Sequence, residues 1–225
     1  MMSSMPDPQA AFQLPLAFDL GATFVSGLAG ALVAVRRQYD YVGVFALAFV
    51  SGLGGAVMRD GIFLAQGPPL AVRDGRYLIA VLAATLIAVV VNQLNRPASV
   101  AVLIFDAIGL GAYSVVGADR ALAAGLSDLG AVLVGLINAV GGAVLRDILT
   151  REEPVLFKPG QFYATAAAIG SALYVGLRSL DVNPEPAAFT AGGVAILLRL
   201  LAVRYNWRTR PWHWRPWHED RGSAG

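Results

Sequence analysis

One seven-residue string occurs twice in this chain, with a single difference, Met58 against Leu145. Gly54-Gly55-Ala56-Val57-Met58-Arg59-Asp60 returns 87 positions later as Gly141-Gly142-Ala143-Val144-Leu145-Arg146-Asp147. Both copies lie in long apolar stretches. Paired glycines interrupting corresponding hydrophobic segments of two repeats mark membrane transporters and channels with discontinuous helices. Function is therefore sought where the two interruptions meet.

Composition puts those stretches in a bilayer. Only 14% of the residues are charged and 56% are hydrophobic, whereas a soluble domain carries about 25% charged residues. There is no cysteine, which excludes disulfides and thiolate metal sites. Lys158 is the only lysine, and both histidines, His213 and His218, lie near the C-terminus. No lysine or histidine is left inside an apolar span for base, Schiff-base or ligand chemistry. The first nine residues carry no Lys or Arg, so a cleaved signal peptide is not expected.

A helix needs about 20 apolar residues to cross the hydrocarbon core. Seven segments qualify: Phe12–Val35, Val42–Leu64, Tyr77–Leu94, Ser99–Val116, Leu129–Leu149, Gln161–Leu177 and Ala187–Val203. The apolar runs show no period of two, so a membrane barrel is not expected. The expected fold class is an all-α integral membrane protein with kinked second and fifth helices. Its expected organisation is an N-terminal tail (1–11), a three-helix repeat (12–97), a second three-helix repeat (98–180), a seventh helix (181–205) and a tail (206–225). Three spans per repeat is an odd number, so the second copy enters the membrane inverted. Arginine placement sets the orientation. Arg73, Arg76, Arg120 and Arg178 fall on the side of the N-terminus, against Arg36, Arg37, Arg96, Arg151, Lys158, Arg204 and the tail arginines on the other. The N-terminus is expected outside and the C-terminus in the cytoplasm.

The 87-residue offset aligns more than the glycine string: Phe18-Asp19 falls on Phe105-Asp106, and Gly30-Ala31 on Gly117-Ala118. Chance matches of Gly and Ala are common in membrane sequence; the charged positions carry the alignment. Gly52-x-Gly54-Gly55 sets three glycines within one turn, each about 1 kcal/mol less favourable than alanine in a helix. An unwound turn would free carbonyls that can replace a small cation's hydration shell. The alternative is close packing of helix backbones. Ser51 and Asn138 hold the same repeat position and offer an oxygen to a cation, or a bridge between helices.

Arg59-Asp60 and Arg146-Asp147 follow each glycine pair, and a charge at the bilayer centre costs at least about 2.5–3.5 kcal/mol. Neighbours on a helix point about 100° apart, so pairing across the repeats is the expected geometry, with Asp60, Asp147, Asp19 and Asp106 as candidate partners. These charges serve as an ion-pair lock, a pore lining, or both. Asp19 and Asp106 lie inside spans one and four. An intramembrane acid points to function by default, and a helix N-terminus is the other environment that favours it.

Trp207, Trp212, Trp214 and Trp217 interleave with Arg208, Arg210 and Arg215 near the C-terminus. That pattern reads as an interfacial anchor on anionic lipid and not as a nucleic-acid surface. Phosphate-loop, nucleophile-elbow and zinc-protease motifs are absent. Nothing in the sequence supplies a catalytic set or calls for a resident cofactor or metal.

The doubled Gly-Gly-x-x-x-Arg-Asp string, the segment Phe105-Asp106-Ala107-Ile108-Gly109-Leu110-Gly111 and the run Arg146-Asp147-Ile148-Leu149 leading to Glu153-Pro154-Val155 resemble the prokaryotic branch of the trimeric intracellular cation channel family. The resemblance covers Asp19 to Val203. It implies a homotrimer of seven-helix protomers, each with its own pore where kinked second and fifth helices meet. The permeant ions would be K+ or Na+, potassium above all. Carried onto this chain, the kink glycines are Gly54, Gly55, Gly141 and Gly142, and the motif charges are Arg59, Asp60, Arg146 and Asp147. Secondary transport of a small amino acid such as glycine is the other activity proposed for this branch.

Overall fold

A computed structural model describes residues 14–64, 68–93, 98–158 and 162–207. Among them, seven main helices and one short connector carry the fold. Helix α1 spans Leu16–Arg36 and α2 Tyr41–Met58, the latter running on as a π-helical segment, Arg59–Leu64. Helix α3 (Leu70–Arg73) is a single turn in the following loop. Then come α4 (Gly75–Gln93), α5 (Ala98–Ala123), α6 (Asp128–Leu149), α7 (Tyr163–Ser179) and α8 (Pro184–Arg204). All seven expected spans are present. Helices α1, α2 with its π segment, α5, α6 and α8 are long and apolar enough to cross a bilayer. The 19 residues of α4 and 17 of α7 sit near the lower length limit.

Helices α1, α2 and α4 pack into one three-helix bundle, and α5, α6 and α7 into a second. The bundles meet through α1 on α5 and α2 on α6, and α8 lies against α5 and α7. A Cβ placed on Gly55 would strike the Asn138 carbonyl, and one on Gly142 would strike the Ser51 carbonyl. Contacts of 55 with 138 and 51 with 142 require α2 and α6 to run antiparallel. Each contact becomes the other when the repeats are exchanged. This is the pseudo-two-fold relation of inverted repeats.

Alternation of large and small residues explains the close approach. Gly30 of α1 leaves room for Ser51, and its aligned partner Gly117 of α5 leaves room for Asn138. The Gly30–Gly117 match therefore has a packing cause. Around this seam lie three apolar clusters, centred on Leu32, Leu53 and Tyr77, on Val115 and Tyr174, and on Leu110 and Tyr113.

Helix α5 runs to Ala123, seven residues beyond the expected end at Val116. The extension takes Asp119 and Arg120 into the bundle, where the Tyr174 hydroxyl donates to Asp119 Oδ1 at 2.5 Å and the Leu14 amide to its Oδ2 at 3.4 Å. Arg120 is thus a packed side chain and not a loop charge that reports orientation.

Candidate functional site

The glycine strings do not unwind. Gly52, Gly54 and Gly55 lie inside α2, and Gly141 and Gly142 inside α6, with α-helical structure continuous through both. The expected broken turn is absent at either pair. A buried helix that opened there would leave backbone groups without partners. The missing Cβ atoms instead let two backbones touch: one at position 55 or 142 would meet a backbone carbonyl of the facing helix closer than 3.0 Å, and one at position 54 would meet the end of the Leu145 side chain. Departure from α geometry comes four residues later and in one repeat only, at the π segment beginning with Arg59. A π turn absorbs an extra residue. Repeat one holds one residue more than repeat two between its motif arginine and its tyrosine (Arg59 to Tyr77 against Arg146 to Tyr163).

Ser51 and Asn138 bridge helices in matching ways. The Ser51 hydroxyl donates to the Ser26 carbonyl at 3.0 Å. The Asn138 amide donates to the Tyr113 carbonyl at 2.7 Å, and residue 113 is the repeat partner of residue 26. Each bond ties the glycine helix of one half to the α1 or α5 helix that carries the intramembrane acid.

The motif charges pair within their own repeats, contrary to the expected cross-repeat geometry. In repeat one, Arg59 Nε donates to Asp60 Oδ1 at 2.7 Å, and Arg59 Nη2 stands 3.6 Å from Asp19 Oδ2. In repeat two, Arg146 Nε donates to Asp147 Oδ1 at 3.0 Å and Nη1 to Asp106 Oδ1 at 3.0 Å. The long arginine side chain folds back to its neighbour, which overcomes the angular separation of adjacent residues. The second oxygen of each motif aspartate anchors the next loop: Leu70 N–H donates to Asp60 Oδ2 and Val155 N–H to Asp147 Oδ2, both at 3.1 Å.

Sequence reasoning missed four members of these clusters. Tyr77 donates to Asp19 Oδ2 at 2.7 Å, and Tyr163 to Asp106 Oδ1 at 3.4 Å. Arg120 of α5 donates to Asp19 Oδ2 at 2.6 Å, and the Arg199 guanidinium of α8 lies 4.8 Å above the Tyr163 ring. In each case the helix after a repeat supplies the second arginine. Two acids and two arginines then balance each cluster, which is how charge is tolerated at this depth. An alignment offset of 86 instead of 87 superposes Tyr77 on Tyr163 and would have signalled them.

Between the repeats lies a cavity of about 10 Å³, bordered by Ser26, Ser51, Asp106, Tyr113, Gly142 and Tyr163. That is room for about one water molecule. A larger hollow of about 230 Å³ sits at the α1–α2 corner against Tyr39 and Tyr41, away from the motif residues. The anchor residues expected after Trp207, like the N-terminal tail, fall outside the described residues.

Comparison with known proteins bears on this geometry. A family model described as "Glycine transporter" matches residues 16–93 and again residues 103–179. The chain belongs to this glycine transporter family. The double match marks the same two repeats as the alignment. A UPF0126 membrane protein of Deinococcus radiodurans is 35% identical over 86% of this chain and 89% of its own length. The UPF0126 inner membrane protein YadS of Escherichia coli is 32% identical over 84% of this chain and 91% of its own. Among solved structures, the trimeric intracellular cation channel orthologue from Rhodobacter sphaeroides superposes with a TM-score of 0.80 at 30% identity, covering 84% of this chain and 97% of that one. The chain is thus an integral membrane protein with the trimeric intracellular cation channel fold, and its kinship is with membrane transport proteins and not with enzymes.

Proposed function

We propose that this chain is a cation channel, permeable to potassium and assembled as a homotrimer. Each protomer holds its own pathway along the seam between α2 and α6. The observation that carries this reading is the polar cavity on the repeat interface, with Asp106, Ser26 and Ser51 on its wall. A carboxylate with oxygen neighbours can replace part of a monovalent cation's hydration shell. Within each cluster the acids neutralise the arginines, which would otherwise repel a cation. Kinship with the Rhodobacter sphaeroides channel supports the same reading. The glycines contribute by closeness: they bring Ser51 and Asn138 to the seam.

Arginine bias supports an N-terminus outside and a C-terminus in the cytoplasm, and the Trp/Arg-rich tail would rest on anionic lipid. No resident cofactor is required. A second reading, exchange of a small amino acid such as glycine, is favoured by the description of the family.

Purified protein in planar bilayers under a KCl gradient separates the two. Unitary currents reversing near the potassium equilibrium potential are the expected result. Saturable glycine uptake stimulated by counterflow, without unitary current, would replace the channel with the transporter.

A further inference from the structure

The inverted repeats are matched in backbone but not at position 26/113. Repeat one carries Ser26 there and repeat two carries Tyr113. Ser26 borders the cavity beside Asp106. Tyr113 reaches the other way, into repeat one, where its hydroxyl donates to the Gly52 carbonyl and meets Thr23 Oγ1 at 2.8 Å. Thr23 Oγ1 also lies 2.9 Å from the Asp19 carbonyl. Two hydroxyl protons serve these three contacts, so two of the three are hydrogen bonds at any moment, and the Tyr113 proton goes to Gly52 or to Thr23. Tyr113 thus ends the cavity on one side and covers the Asp19 cluster on the other.

Around Asp19, some polar atoms have no hydrogen bond. Asp19 Oδ1 and both terminal nitrogens of Arg59 are buried and make no hydrogen bond. Their counterparts Asp106 and Arg146 keep 10% and 6% side-chain exposure, while Asp19 and Arg59 have none. Buried charged groups without hydrogen bonds are unfavourable, and admitting water relieves them. A mobile barrier that gives the repeat-one cluster access to the cavity would do this.

We propose that Tyr113 is the gate of the pathway: its ring separates the Asp106 cavity from the Asp19 cluster, and its hydroxyl latches the closed position on Thr23 and Gly52. This rests on the channel reading above. Opening swings the ring off the α1–α2 interface and joins the two polar regions into one route. Tyr113→Phe removes the latch and keeps the ring. Thr23 still has the Asp19 carbonyl as acceptor, so the variant leaves no new unsatisfied donor.

The test is single-channel recording of wild type, Tyr113→Phe, Thr23→Val and Tyr113→Ser in bilayers of one composition. Tyr113→Phe and Thr23→Val should each raise open probability about fivefold, the factor that one ordinary hydrogen bond contributes to a two-state equilibrium, at unchanged unitary conductance. Tyr113→Ser places the repeat-one residue in repeat two, and should hold the route open with larger unitary conductance. Wild-type gating in all three variants, in channels that still conduct, overturns the gate and leaves the pathway standing. Absence of unitary current from the wild type overturns the channel reading and the gate with it.

Discussion

The two halves of this molecule carry the same motif in different states. In repeat one the Asp19–Arg59 pair is fully buried, and Arg59 opens a π-helical segment. In repeat two the Asp106–Arg146 pair keeps some exposure, borders a cavity and sits on unbroken α-helix. One arrangement of charges is sealed, and the other faces a space of about 10 Å³.

The largest expected effect tests that division on stability. Removing one partner of a buried ion pair costs about 3–5 kcal/mol, because the other charge stays buried. Arg59→Ala should approach that range, while Arg146→Ala should lose clearly less. Thermal unfolding of the detergent-solubilised protein measures both, and equal losses would erase the distinction between the halves. Next come Gly55→Ala and Gly142→Ala. Each added Cβ meets a backbone carbonyl of the facing helix, so α2 and α6 must move apart, at about 1–3 kcal/mol. Here the halves should agree, because the two contacts are symmetry mates; a large loss at one position only would break the pseudo-two-fold.

Smaller effects sharpen the picture. Ser51→Ala and Asn138→Ala each delete one inter-helix hydrogen bond and should cost about 1 kcal/mol, again read from the unfolding midpoint. The smallest change should come from Arg37→Ala. Its partner Glu152 joins the α1–α2 corner to the α6–α7 loop, but both side chains are well exposed, and such pairs contribute about 0–1 kcal/mol.

Much of this was legible in the residues. Charges inside apolar runs, repeated at a fixed offset, led to the inverted three-plus-three fold. They also marked Asp19, Asp60, Asp106 and Asp147 as the acids that the two motif arginines meet, though not which acid meets which arginine. Glycine has two uses in a membrane helix, unwinding and close approach, and sequence alone does not choose between them. The choice depends on whether a neighbouring backbone lies within reach, as Asn138 does for Gly55. Pairing within and not across the repeats depends on arginine rotamers, which leave no pattern in sequence. Tyr77 and Tyr163 were hidden by a one-residue change of offset. Tyr113 was hidden because a single tyrosine in an apolar helix carries no periodic signal.

The most direct measurement is single-channel recording of Asp106→Asn beside the wild type under a KCl gradient. With the pathway running past this carboxylate, wild-type currents reverse near the potassium equilibrium potential. The variant should conduct less and reverse closer to zero. Identical conductance and reversal potential in the two proteins would contradict a route between α2 and α6 at Asp106.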